Sequence, residues 1–150
     1  MARARKTTYL IKMCEMVLRS AFEQRLQDVK VTGLQYGILS IVSEGPRFSA
    51  ADLARSCHVT PQSMCESVST LEQKGLVRRE VDPSNRRILR ISITADGSKM
   101  LARCEKEMKT VEKQIFSCLS KDELDQFRSA LRRIVAQADA EINYIRPEVL

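Results

Sequence analysis

Residues 49–94 read SAADLARSCHVTPQSMCESVSTLEQKGLVRREVDPSNRRILRISIT, and two changes of rhythm inside this stretch decide the fold. Ser49 with Asp52 three residues on has the spacing of a capping box, and it opens a short helix through about Cys57. His58-Val59 makes a tight connector. Thr60-Pro61 then starts a second helix, with threonine as cap and proline at the first helical position, where its missing N–H costs nothing. Met64, Val68 and Leu71 at i, i+4 and i+7 give that helix one buried stripe, and Gly75 ends it. The apolar period now drops from near 3.6 to 2. Leu76–Val81 reads as a strand, Asp82-Pro83-Ser84-Asn85 as a turn, and Ile88, Arg90, Ile91 and Ile93 as a returning strand.

The flanks are helical. Leu10, Met13, Cys14, Val17, Leu18 and Ala21 recur at helical spacing between Thr7 and Asp28. A second helix begins at Thr32, carries Leu34, Ile38, Leu39, Ile41 and Val42, and stops at Gly45-Pro46. Beyond the hairpin, Thr94 caps a long helix running to about Leu119. Its Leu101, Cys104, Met108, Val111, Ile115 and Cys118 repeat at alternating spacings of 3 and 4, a seam suited to another helix. Ser120 and Glu123 form another capping box, and Leu124, Phe127, Leu131, Ile134, Val135, Ala138 and Ile142 share one face of a last helix that Pro147 ends. The expected fold class is mainly α with a small β-hairpin wing. Two short helices joined by a tight turn and followed by a hairpin make a winged helix-turn-helix, here residues 32–94, flanked by dimerisation helices in 1–31 and 95–150 of one compact chain.

At 150 residues the chain supports one core of ordinary size, and its five glycines, four prolines and absent tryptophan favour helices. The net charge of +6 is unevenly spread: residues 74–90 carry six basic side chains against two acidic, and residues 119–150 five against six. The five cysteines are irregularly spaced and suggest neither a disulfide framework nor a zinc site. With one histidine, no glycine-rich phosphate loop and no nucleophile–base constellation, no enzyme, cofactor or metal is expected. No signal peptide and no apolar run approaching the ~20 residues of a membrane span are present, so the expected location is the cytoplasm.

The outward face of the second short helix carries Gln62, Ser63, Glu66, Ser69, Thr70 and Gln73, side chains able to reach base edges in a major groove, with Thr60 at the N-terminus that can meet a phosphate. Taken alone it reads as well as a solvated amphipathic face. The basic hairpin behind it changes the balance. Arg86 or Arg87 is long enough to enter a minor groove, where arginine is drawn by the potential of narrow A·T tracts. Lys74, Arg78 and Arg79 are placed to lie along the phosphate backbone, supplying salt-dependent affinity. The expected partner is double-stranded DNA.

Ser49-Ala50-Ala51-Asp52-Leu53-Ala54, Val59-Thr60-Pro61-Gln62-Ser63, Leu71–Val77, Asp82–Arg87 and Ile91–Gly97 together resemble the winged helix-turn-helix of the multiple-antibiotic-resistance (MarR) regulators. The resemblance implies a homodimer held by the first and last two helices, usually a repressor that binds a pseudo-palindrome and is released by a small, often aromatic, ligand or by thiol oxidation. Two departures stand out. The family usually has an aspartate where this chain has Asn85, and that aspartate braces a wing arginine, so the wing is expected to be held more loosely. Glu66 and Thr70 stand where many members have arginines, which shifts the load to the wing.

By position in the family, the ligand-pocket candidates are Met13, Met16, Ser20, Tyr36 and His58. The methionines adapt to flat apolar molecules, and Tyr36 and His58 are able to orient a carboxylate or phenol. The alternative sensing route is redox, through Cys14 on the first helix or Cys65 on the recognition helix. A non-specific architectural DNA binder is the further alternative, marked by a steep salt dependence and little sequence preference.

Overall fold

The computed structural model describes residues 6–45 and 48–142. Pro46, Pro147 and the side chain of Ile142, which figure in the expected helix ends and last helix face, lie outside what it describes. The element order is α1 (Thr7–Asp28), α2 (Gly33–Ser43), β1 (Phe48–Ser49), α3 (Ala50–Ser56), α4 (Pro61–Gln73), β2 (Val77–Val81), β3 (Leu89–Ile93), α5 (Ala95–Ile115), a 3₁₀ turn (Phe116–Cys118) and α6 (Lys121–Ile142). The fold is mainly helical with a small antiparallel sheet.

Local chemistry starts each helix. Thr32 accepts from the Gln35 N–H at 3.2 Å while the Gln35 side chain accepts from the Thr32 N–H. Ser49 and Asp52 do the same at α3, Thr60 accepts from Ser63 at α4, Thr94 from Gly97 at α5, and Ser120 with Glu123 closes the box at α6. α4 stops where Gly75 takes φ +71, a conformation that favours glycine.

The sheet has three strands where a hairpin was expected. β2 and β3 pair with Val77 opposite Ile93 and Val81 opposite Leu89, and the two-residue β1 adds to the other side of β3, Phe48 facing Ile91. A two-residue strand has no alternation to read, which is why the sequence pattern misses it. The long helix also ends earlier than expected, at Ile115 rather than near Leu119. Its seam is buried at Leu101, Cys104, Met108 and Val111, but Cys118 falls in the 3₁₀ turn and is exposed.

The main core joins α2, α3, α4 and the sheet, with Ile38, Leu39, Leu53, Met64, Val68, Leu71 and Ile91 each 1% exposed or less. A smaller core of Leu26, Val31, Cys104 and Met108 ties α1 to α5, and Tyr36 and Met100 pack against both. α1 therefore meets the rest of the chain mainly through its C-terminal end. Its expected apolar stripe is largely bare: Leu10, Met13 and Val17 are exposed.

Candidate nucleic-acid interface

The tight connector between α3 and α4 works because His58 takes φ +51, turning the chain within two residues of the α3 C-cap. α4 then buries Met64, Val68 and Leu71 and presents Gln62, Cys65, Glu66 and Gln73 to solvent, with Ser63, Ser69 and Thr70 half-buried. Thr60 is occupied as the cap of α4, and Gln62 Nε2 donates to Glu66 Oε1 at 3.2 Å. The Thr70 hydroxyl donates back to the Glu66 carbonyl.

The wing turn is organised by one carboxylate that the sequence pattern assigned only to a turn. Asp82 is 5% exposed. It accepts from the Ser84 N–H at 2.7 Å, the Ser84 hydroxyl, the Asn85 N–H at 3.1 Å and the Arg90 guanidinium. The Ser84 hydroxyl, then Arg90, hold its pKa far below the usual carboxylate range. Arg90 also lies 3.7 Å from Asp52, inside the α3 capping box, whose own pKa is lowered first by the Ser49 hydroxyl. Asp82 and Arg90 thus lock the wing to the start of the helix-turn-helix. The expectation of a loosely held wing is corrected: Asn85 supplies no charge and accepts from the Arg87 N–H at 3.1 Å, while Asp82 does the bracing.

The five cations expected to face DNA, three along the backbone and two at the wing tip, divide into two groups. Lys74 donates to the Lys30 carbonyl at 2.7 Å and reaches Gln35 Oε1 at 3.4 Å, tying the end of α4 to the α1–α2 junction. Arg78 pairs with Glu80 at 2.8 Å, and Arg79 pairs with Glu72 while donating to Ser69 Oγ at 3.0 Å. Arg86 and Arg87, at the exposed wing tip, enter no ion pair among the described residues. Of these five cations, Arg86 and Arg87 are the two whose side chains take no hydrogen bond or ion pair among the described residues.

Residues 29–88 match the profile of the MarR family. A regulatory protein for the hcr operon of Thauera aromatica is 30% identical over 123 residues, spanning 79% of this chain and 74% of the relative. This chain belongs to the MarR family. The HTH-type transcriptional repressor Rv2887 of Mycobacterium tuberculosis is 29% identical over 126 residues, 84% of this chain and 91% of its own. Its crystal structure in complex with salicylic acid superposes with a TM-score of 0.74 at 28% identity, covering 89% of this chain and 99% of that one. Wild-type apo MarR of Escherichia coli shares the fold with a TM-score of 0.79 over 88% of this chain and 98% of its own, at 17% identity. Like its relatives, this MarR-family chain is a DNA-binding transcriptional regulator.

Of the five pocket candidates, Tyr36 lines an open groove among the described residues. This groove of about 650 Å³ lies between α1, α2, α5 and α6, walled by Leu10, Cys14, Phe22, Tyr36, Phe116 and Phe127. Met13, Met16 and Ser20 lie outside its walls on exposed α1 surface, because the groove takes the adjacent stripe of that helix. His58, in the connector, does not line it either. Burial raises the Tyr36 pKa, and Arg19, tied to Glu15, stands at the groove wall. The phenylalanines and Arg19 are contributors that position in the family did not suggest; their signal is aromatic residues on amphipathic helices. Of the two redox candidates, Cys14 is exposed in the groove wall and Cys65 is exposed on α4. No described helix is long and apolar enough to cross a membrane.

Proposed function

We propose that the chain acts in the cytoplasm as a homodimeric repressor that binds a pseudo-palindromic operator and is released by a small aromatic carboxylate or phenol. The observation that carries the DNA reading is the braced wing: Asp82 and Arg90 hold a turn whose Arg86 and Arg87 have no ion pair to break among the described residues. Such a tip meets a minor groove without first losing a partner, while Gln62, Glu66 and Gln73 are offered to the major groove. Dimerisation through segments 1–31 and 95–150 is supported by the apolar side chains left bare on α1, with Met16 and Val17 more than half exposed, and by Ile134 on α6.

The groove supports the ligand. Its walls are largely apolar and aromatic; of the polar residues on them, which include Glu15 and Glu23, Tyr36 and Arg19 are the ones suited to a phenol or carboxylate. The solved salicylic acid complex of the related Rv2887 points to the same ligand class. The test is a footprint on the promoter regions flanking the gene, followed by titration with salicylate. Protection of two half-sites about one helical turn, ~34–36 Å, apart and their release by salicylate or a close analogue are expected. Uniform coating of competitor DNA would instead make the protein a non-specific binder.

A further inference from the structure

The structure assigns to Arg79 a positioning role: it clamps the recognition helix to the wing strand through Glu72 and Ser69 and neutralises no DNA phosphate. This rests on the DNA-binding reading just given. β2 is an edge strand, since the sheet order is β1-β3-β2, and an edge N–H needs a partner from elsewhere. Glu72, near the end of α4, supplies it. One carboxylate oxygen accepts from the Arg79 backbone N–H at 3.3 Å and the other accepts from its guanidinium. The second guanidinium nitrogen donates to Ser69 Oγ at 3.0 Å.

Ser69 and Glu72 are three residues apart and share a face of α4. A planar guanidinium that bridges both resists rotation of the helix about its own axis, which a single contact does not. The covalent link between α4 and β2 is the short turn Lys74–Leu76, so this clamp, added to the core packing of Met64, Val68 and Leu71, fixes the direction in which Gln62, Glu66 and Gln73 point relative to the wing tip. Exposure separates the neighbouring arginines: the Arg78 side chain is 63% exposed and that of Arg79 only 28%. Ser69 is engaged by the same clamp and is a poor candidate for a base contact.

The experiment measures R79A, R79K and E72Q on two probes, a duplex enriched by the wild-type protein from a random-sequence pool and poly(dI-dC), across a salt series. Thermal unfolding confirms that each variant is folded. Positioning predicts that all three lose about tenfold or more on the enriched duplex, keep wild-type affinity for poly(dI-dC), and keep the wild-type salt slope. The R79K/E72Q double variant should be no worse than the weaker single variant. A salt slope reduced by about 0.9 in R79A and restored in R79K identifies a phosphate contact and overturns the assignment. E72Q binding as wild type also overturns it. A wild-type protein that enriches no duplex refutes the DNA-binding reading itself, a different failure from these.

Discussion

Replacing Gly97 by alanine should destabilise the protein sharply, whereas the same change at Gly37 should stabilise it. Gly97 is the third residue of α5, and its N–H donates to the Thr94 cap at 3.0 Å. A Cβ there would lie 2.0 Å from the Leu76 carbonyl oxygen and 2.8 Å from Ile93 Cγ1. Ordinary carbon–oxygen contacts are about 3.3–3.6 Å, so the Leu76 backbone must retreat by more than an ångström. It has little freedom to do so. Leu76 is 5% exposed, and its carbonyl accepts from Thr94 N at 3.1 Å just before β2 begins. Overpacking a core costs about 1–3 kcal/mol, and an obstacle that is backbone belongs at the upper end. For a chain of this size, about 3 kcal/mol lowers Tm by roughly 6–12 °C. At Gly37, inside α2, an added Cβ meets nothing within 4 Å, and removing an interior helix glycine gains about 0.5–1 kcal/mol. Thermal unfolding of both variants at one protein concentration measures the contrast. A G97A protein melting within about 2 °C of wild type would refute the reasoning, because the junction would then have to yield freely.

Asp82→Asn should lower stability at neutral pH and weaken DNA binding. The folded-state pKa of Asp82 is depressed, so its stabilising contribution is fully present above the unfolded value of about 3.9 and is lost as pH falls through the folded one. Denaturant titrations of wild type and D82N should therefore differ most at neutral pH, with a gap that begins to narrow below about pH 4; a constant gap would contradict the brace. R86A should reduce the salt slope of DNA binding by about 0.9, read by fluorescence anisotropy across a salt series, and an unchanged slope removes that arginine from the interface. Val17→Asp, on the bare face of α1, should shift the protein to monomer in sedimentation equilibrium, since burying an unpaired carboxylate in an apolar contact costs several kcal/mol. An intact dimer in that variant would move the interface elsewhere. Leu71→Ala, fully buried under α4, should cost about 2–5 kcal/mol in chemical denaturation, and a loss under 1 kcal/mol would contradict its place in the core.

The sequence by itself determined where helices start, where α4 stops, and that a basic hairpin follows it. Each of these depends on hydrogen bonds and dihedral preferences satisfied within about four residues, as at Ser49 with Asp52, Thr60 with Ser63, and Gly75. Motif resemblance added the family. Partnerships over longer spans were decided only by the tertiary structure. Asp82 rather than residue 85 braces the wing because strand pairing brings Arg90 back beside it, and chain folding brings Arg90 to Asp52, 38 residues earlier. Lys74 and Arg79, read from charge as phosphate contacts, are engaged within the protein, because Lys30, Gln35, Glu72 and Ser69 come to them through packing. The groove wall likewise depends on which stripe of α1 faces α5 and α6, so Leu10 and Phe22 line it while Met13 and Met16 do not. Charge and periodicity name the residues that can act; only packing shows which are already engaged, and among the described residues it leaves the Arg86 and Arg87 side chains without an ion pair.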